Sequence, residues 1–199
     1  MKNIIVVYPG RFQPFHQGHA AVYNSLKKKY GVDNVYICTS NKVELPKSPF
    51  TFHDKVEMIA LTGIDACRVI QSSQPYRAPE ILSLYNQQST VILFAVSVKD
   101  MLDSPRFSFT PKKDGSPSYF QPLPADISHA KTSDVHGYII TVPTFNFDVL
   151  NLPVSSATEI RSRFANADRR TKKYMVTSLF GKYNTDVYNI MNEKIINTI

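Results

Sequence analysis

The sequence predicts a doubly wound α/β fold built on a parallel sheet, and two observations carry that prediction. Short apolar runs rich in β-branched residues recur at 3–8 (NIIVVY), 35–39, 68–70 and 91–96. Helix-like stretches separate them at 18–30, 52–61 and 79–85. Runs this short and apolar suit strands buried on both faces. Strands alternating with helices imply βαβ units with right-handed crossovers.

Residues 3–8 open the sheet, and the next three runs extend it, each reached through one of the helical stretches. Residues 101–136 break the rhythm. Five of the thirteen prolines fall there (Pro105, Pro111, Pro117, Pro122 and Pro124), mixed with Phe107, Phe109, Tyr119 and Phe120. So aromatic a segment predicts an ordered excursion rather than a floppy linker, and we read it as a lid or a contact in a homo-oligomer. Residues 138–142 read as a returning strand. From Ser156 onward the chain reads as helical in two or three pieces, with a break at Gly181. No internal repeat or domain boundary is visible, so residues 1–199 are expected to form one domain with an irregular insertion at 101–136.

Composition narrows the classes. With 199 residues the chain can bury a core unaided by disulfides. Its 43% hydrophobic and 12% aromatic content excludes a disordered chain. Two cysteines, Cys38 and Cys67, exclude a disulfide scaffold and a cysteine-built zinc site, and they fit a reducing compartment. No apolar run approaches a membrane span and no signal-peptide pattern opens the chain, so a cytoplasmic protein without a membrane partner is expected. The net charge of +7 and a pI near 9.3 attract anions. The basic clusters, Lys27 to Lys29 and Arg169, Arg170, Lys172 and Lys173, sit on helical stretches and read as solvated faces. Nucleic acid is therefore disfavoured as a partner, and a polyphosphate site explains part of the excess equally well.

The informative stretch begins where the first strand ends, at Gly10-Arg11-Phe12-Gln13-Pro14-Phe15-His16-Gln17-Gly18-His19. Gly10 permits a sharp turn and a close backbone approach to a ligand. Gly18 leaves room at the opening of a helix, whose unpaired N–H groups favour an anion. His16 and His19, three apart, share one side of that helix start. The loop lies at the carboxyl end of a strand, where open α/β sheets bind ligands. Two histidines at this spacing also fit a capped helix or half of a metal site. But His53, His129 and His136 lie in unrelated contexts and no acidic residue stands at metal spacing, so no protein metal site is expected. Turn glycine, helix start and paired imidazoles coincide, and together they point to a phosphate.

GRFQPFHQGH resembles the signature of the HxGH nucleotidyltransferases, a superfamily that includes the class I aminoacyl-tRNA synthetases. It is most similar to nicotinamide mononucleotide adenylyltransferases of the archaeal and NadR-like type. Val154-Ser155-Ser156-Ala157-Thr158-Glu159-Ile160-Arg161 resembles the family's S-[SG]-T-x-[IL]-R segment, with Ala157 where Ser or Gly is common. Read without the family, Ser156 or Thr158 is a helix N-cap, and Arg161 one turn on could reach a phosphate at that end. A third segment, Lys47-Ser48-Pro49-Phe50-Thr51-Phe52, resembles the [ND]-P-F-T stretch after the second strand. Asp54 and Lys55 there replace the usual Glu-Arg, and the bare reading is a proline turn opening an amphipathic helix.

The resemblance implies a Rossmann-like HxGH nucleotidyltransferase fold with a C-terminal helical segment. It also implies transfer of AMP from ATP to a phosphate-bearing acceptor, with pyrophosphate released and nicotinamide mononucleotide as the expected acceptor. By the same resemblance His16, His19 and Arg161 are the catalytic candidates, the imidazoles donating to the triphosphate. Arg11 and Lys47 would join Arg161 on the β and γ phosphates. Gly10, Phe12, Gln13 and Gly18 would shape the turn, and Ser156 and Thr158 would add helix-start donors. Mg2+ would arrive on the nucleotide phosphates. Phe15, Tyr76 and Phe94 are candidates to stack on the acceptor, since the chain has no tryptophan. Lys99 and Asp100 follow the fourth strand, where an acceptor site or a plain turn would sit. Two alternatives stand beside this reading. One is another HxGH transferase (cytidylyl, pantetheine-phosphate or FMN), although SSATEIR does not match the RTEGISTS-like motif of cytidylyltransferases. The other is a nucleotide-sensing module without turnover, which need not keep His16, His19 and Arg161 together. A synthetase is disfavoured by length and by the lack of a KMSKS-like segment.

Overall fold

A computed structural model of the chain describes residues 2–102, 107–143, 148–154 and 156–196. The chain divides into two compact units, each assembled from three segments. One comprises residues 1–10, 22–38 and 74–144, the other residues 11–21, 39–73 and 145–199.

The first unit is built on parallel strands. β1 (Asn3–Pro9) pairs with β2 (Val35–Thr39) on one side, Tyr8 standing opposite Ile37. On its other side β1 pairs with β4 (Thr90–Ser97), Ile5 opposite Ile92. β4 is followed by β6 (Gly137–Val142) and then by β5 (Phe120–Pro122) at the edge. Ile5 to Val7 and Ile92 to Ala95 are fully buried, as strands covered on both faces require. The parallel Rossmann-like sheet expected from the sequence is present. α1 (Gln17–Tyr30) carries the chain from the second unit's first segment into this unit.

The excursion at 101–136 supplies the edge strand. A four-residue helix, α4 (Lys99–Leu102), leads into it, and β5 then pairs in parallel with β6. The Phe120 ring packs edge-on against Phe94, Phe107 and Tyr119, with centroids 5.4, 4.8 and 5.2 Å away. Gly137 makes room for this cluster, because a Cβ there would meet Tyr119 at 2.9 Å and Phe94 at 3.0 Å. Pro122 ends the strand at the sheet edge, where its missing N–H is harmless. Pro105 lies outside the described residues. The helix expected at 79–85 is only α3 (Pro79–Leu82), since the Ser83 hydroxyl donates to Glu80 O (2.8 Å) and ends it.

The second unit carries β3 (Val69–Gln71) and the remaining long helices, α2 (Phe52–Leu61), α5 (Ala157–Asn166), α6 (Arg169–Phe180) and α7 (Thr185–Ile196). β3 starts one residue later than expected, because Asp65 accepts from Cys67 N (2.9 Å) and caps a 3-10 turn over Ala66–Arg68. One apolar cluster binds the helices: Phe50 and Met58 meet Ile160, Phe164, Met175, Leu179, Phe180 and Met191, all essentially without exposure. The break at Gly181 is present: its φ of 84° closes α6 with an N–H to Thr177 O (2.8 Å). A two-residue hairpin, β7 (Asp148–Val149) and β8 (Leu152–Pro153), turns through Leu150 and Asn151, both at left-handed φ. Among the described residues no helix is long and apolar enough to cross a membrane.

Candidate active site

The loop from Arg11 to His16 forms a compact turn held from several directions. Its left-handed residue is Phe12 (φ 48°), whereas Gly10 is not among the positive-φ glycines. The sharp bend expected of Gly10 therefore falls two residues later, on a side chain for which it costs conformational energy. Burial offsets that cost: Phe12 is 5% exposed and its ring packs edge-on against Phe15 (5.2 Å) and His19 (5.1 Å). Gln13 is buried as well. Its side-chain amide donates to Phe50 O (3.0 Å) and accepts from Phe50 N (2.9 Å), bracing the loop against the start of α2.

His16 is the N-cap of α1. Its Nδ1 accepts from Gly18 N (3.1 Å), so in the neutral ring the proton sits on Nε2, which is then a donor. One of the helix-start N–H groups expected to favour an anion, that of Gly18, is thus occupied by His16. His19, one turn on, packs against His16 with centroids 3.8 Å apart and the ring planes tilted by 32°. Burial pushes the His16 ring down to about 4. Burial and then the neighbouring His16 hold His19 well below the usual imidazole range. Both rings are neutral at pH 7.

α5 faces the same place. Ser156 is its N-cap, accepting from Glu159 N (3.2 Å), which leaves the N–H groups of Ala157 and Thr158 without an acceptor inside the helix. Arg161 reaches back from the second turn, donating through one nitrogen to Gln13 O (2.7 Å) and through the other to Thr158 Oγ1 (3.2 Å). Arg161 is 9% exposed, and burial followed by the nearby Arg11 lowers its pKa. Arg11 and Arg161 thus bring two cations to one cavity.

A cavity of about 480 Å³ lies at this convergence, lined by Arg11, Phe12, Gln13, His19, Lys47, Ser156, Ala157, Thr158 and Arg161. Three of the nine are cations and none is a carboxylate. The structure therefore brings most of the phosphate candidates to one cavity, with His19 in its lining and His16 in ring contact with His19. Arg11 and Lys47 stand exposed at its edge. Ser155 of the second motif lies outside the described residues.

The aromatic candidates fare differently. Phe15 and Phe94 are fully buried, Phe15 against Phe12 and His19 and Phe94 against Phe120, so in this arrangement neither presents a face for stacking. Tyr76 is half-buried, its ring 5.9 Å from Phe107. Asp100 accepts from the Ser97 hydroxyl (2.7 Å) at the end of β4, while the Lys99 side chain lies outside the description. Among the described residues no group of three or more His, Cys, Asp or Glu could hold a metal ion. Reading the sequence missed the Gln13–Phe50 brace and the burial of Lys55, since neither leaves a local pattern: each depends on partners 37 and about 15 residues away.

Residues 7–109 match the family model described as cytidylyltransferase-like. Over 68 residues the chain is 37% identical to nicotinamide-nucleotide adenylyltransferase 1 of Sulfolobus acidocaldarius, covering 32% of this chain and 39% of that protein. It is 40% identical over 53 residues to the nicotinamide-nucleotide adenylyltransferase of Sulfurisphaera tokodaii, covering 27% and 31%. The match thus spans well under half the length of either curated relative. Among solved structures, a bifunctional NMN adenylyltransferase/ADP ribose pyrophosphatase from Francisella tularensis aligns over 99% of this chain and 52% of its own. Its TM-score is 0.57 at 19% identity, a likeness of fold.

Proposed function

The chain belongs to the cytidylyltransferase-like family, and from that premise we propose that it transfers the adenylyl group of ATP to the phosphate of nicotinamide mononucleotide, giving NAD and pyrophosphate. One observation carries the reading: Arg11, Lys47 and Arg161 converge with His19 and the start of α5 on a cavity that has no carboxylate among its described lining residues. Two curated relatives bear the name of this activity.

In the reaction an oxygen of the acceptor phosphate forms a bond to the α-phosphorus of ATP, and the bond from that phosphorus to the α–β bridging oxygen breaks. The acceptor oxygen is already ionised at neutral pH, so no general base is needed. Charge grows on the bridging and leaving oxygens, and fixed donors aimed there lower the barrier. Neutral imidazoles suit this work. They donate hydrogen bonds without first paying to desolvate a charge, and a polyanion arriving beside them raises their proton affinity as negative charge builds. Arg161 is held by Gln13 O and Thr158 before the nucleotide arrives, so its guanidinium is pre-positioned for the departing pyrophosphate. ATP enters as its magnesium complex. With cations, hydroxyls, the His19 ring and a Gln13 amide already bound to Phe50 as the polar lining, magnesium would keep phosphate oxygens and water as its ligands.

The deciding experiment is pyrophosphate release from MgATP or MgCTP against nicotinamide mononucleotide, nicotinate mononucleotide, phosphopantetheine and FMN. Release with ATP and nicotinamide mononucleotide, at least tenfold above every other pair, is the expected result. Equal or greater release with CTP or another acceptor moves the protein to another transferase, and nucleotide binding without release makes it a sensor.

A further inference from the structure

Lys55 lies on the first turns of α2 and is 1% exposed. Its Nζ donates to Thr39 Oγ1 (3.0 Å) and to Ser40 O, at the end of β2. The carboxylate beside it in sequence, Asp54, is engaged elsewhere, accepting from Thr51 N (2.8 Å) in the capping box of α2. Burial pushes the Lys55 ammonium down to about 8, opposed by Asp54. An ammonium buried on neutral oxygens is expensive to keep. The two groups it holds form the root of a loop.

That loop runs over residues 41–48 and returns to α2. Asn41 Oδ1 accepts from Phe52 N (2.7 Å), beside the Lys55 contact to Ser40. At the far end Phe50 is locked on both backbone groups by Gln13. Between these anchors residues 41–47 are exposed: Lys42 N donates to Ser40 Oγ (3.4 Å) at the root, Glu44 and Ser48 exchange backbone bonds of 3.0 and 2.6 Å, and Lys42 Nζ pairs with Glu44 at 3.0 Å. Lys47, near the far end, lines the cavity.

We propose that Lys55 is a positioning residue: by holding Thr39 and Ser40 it fixes the root of the 41–48 loop and so determines where Lys47 stands against a bound triphosphate. The triphosphate part rests on the adenylyl-transfer reading; the loop-rooting part does not. Lys55→Met removes both bonds and keeps the apolar stem. Lys55→Arg keeps a cation able to reach the same oxygens. Thr39→Val removes one acceptor and serves if Lys55→Met fails to fold.

Two measurements on the whole chain test this. In amide hydrogen exchange without nucleotide, Lys55→Met and Thr39→Val should exchange several-fold faster at residues 41–48 while the α5 to α7 helices are unchanged, and Lys55→Arg should behave as wild type. In steady-state kinetics Lys55→Met should raise KM for ATP about tenfold, the scale of one or two lost hydrogen bonds, with kcat within about twofold. A double-mutant cycle isolates the coupling: if Lys55 acts through Lys47, adding Lys55→Met to Lys47→Ala should change KM by less than about twofold. Unchanged exchange in the loop, or KM effects that multiply in the double variant, overturns the proposal. Should the wild-type chain show no turnover with any nucleotide, the adenylyl-transfer reading falls, and the exchange result still decides whether Lys55 roots the loop.

Discussion

His16 and His19 are kept neutral by burial, and that protonation state couples the site to stability. Their folded pKa values lie below the value of about 6.5 expected for the unfolded chain. Below that pH the unfolded chain takes up protons that the folded chain refuses. Stability is therefore complete above about pH 6.5 and is lost as pH falls from there towards 4, at up to about 1.4 kcal/mol per pH unit for each ring. Denaturant midpoints at pH 7.5 and pH 5 should differ accordingly in wild type and differ less in His19→Ala. The same variant should lose about 10²–10³-fold in turnover, measured as pyrophosphate release, while circular dichroism shows the fold retained. Arg161→Lys is a sharper probe of geometry. A single ammonium cannot span Gln13 O and Thr158 Oγ1 as the guanidinium fork does, so KM for ATP should rise at least tenfold despite the conserved charge. These residues were legible in the sequence because they fall within two short motifs. Phe12 and Gln13 were legible as turn residues, but their particular work was not. The left-handed backbone at Phe12 and the amide lock on Phe50 arise from tertiary packing that no local pattern records.

At the scale of elements, the start of α5 combines a stability role with a binding role, and two substitutions at Ser156 separate them. Ser156→Ala removes the acceptor for Glu159 N and should cost about 1 kcal/mol, read as a lower melting temperature. Ser156→Asp keeps a good cap and should hold the melting temperature. It also places a carboxylate in the lining shared with Arg11, Lys47 and Arg161, so affinity for ATP should fall at least tenfold. If the aspartate variant bound ATP as well as wild type, this helix end would be a cap and nothing more. Elements with strong periodic signals were readable to within a residue or two: β2 at Val35–Thr39 and α2 at Phe52–Leu61 fall where the pattern places them. β5 was not readable. Three residues ending in proline carry no alternation, and Phe120 joins the sheet through rings distant in sequence. β7 and β8 are shorter still, and their turn uses Leu150 and Asn151 instead of a glycine.

At the scale of the whole molecule, the cavity residues all come from the second unit although they are drawn from three separate stretches of chain, 11–19, Lys47 and 156–161. A ligand that bridges these stretches ties segments distant in sequence, so it should stabilise that unit cooperatively rather than quiet one loop. Inorganic tripolyphosphate is the probe for this, since it presents the phosphate chain without adenosine. At about 100 times its dissociation constant it should stabilise the fold by roughly 2.7 kcal/mol, and for a chain of this size that raises the melting temperature by about 5–10 °C. Amide exchange should slow together at the Arg11–His16 turn, the 41–48 loop and the first turn of α5. Charge sets the salt dependence. The chain carries +7 overall and the described cavity lining includes three cations, so the gain should shrink steadily as ionic strength rises from 0.05 to 0.5 M. Protection confined to one of the three stretches, or a shift indifferent to salt, would mean that the three cations do not share one anion.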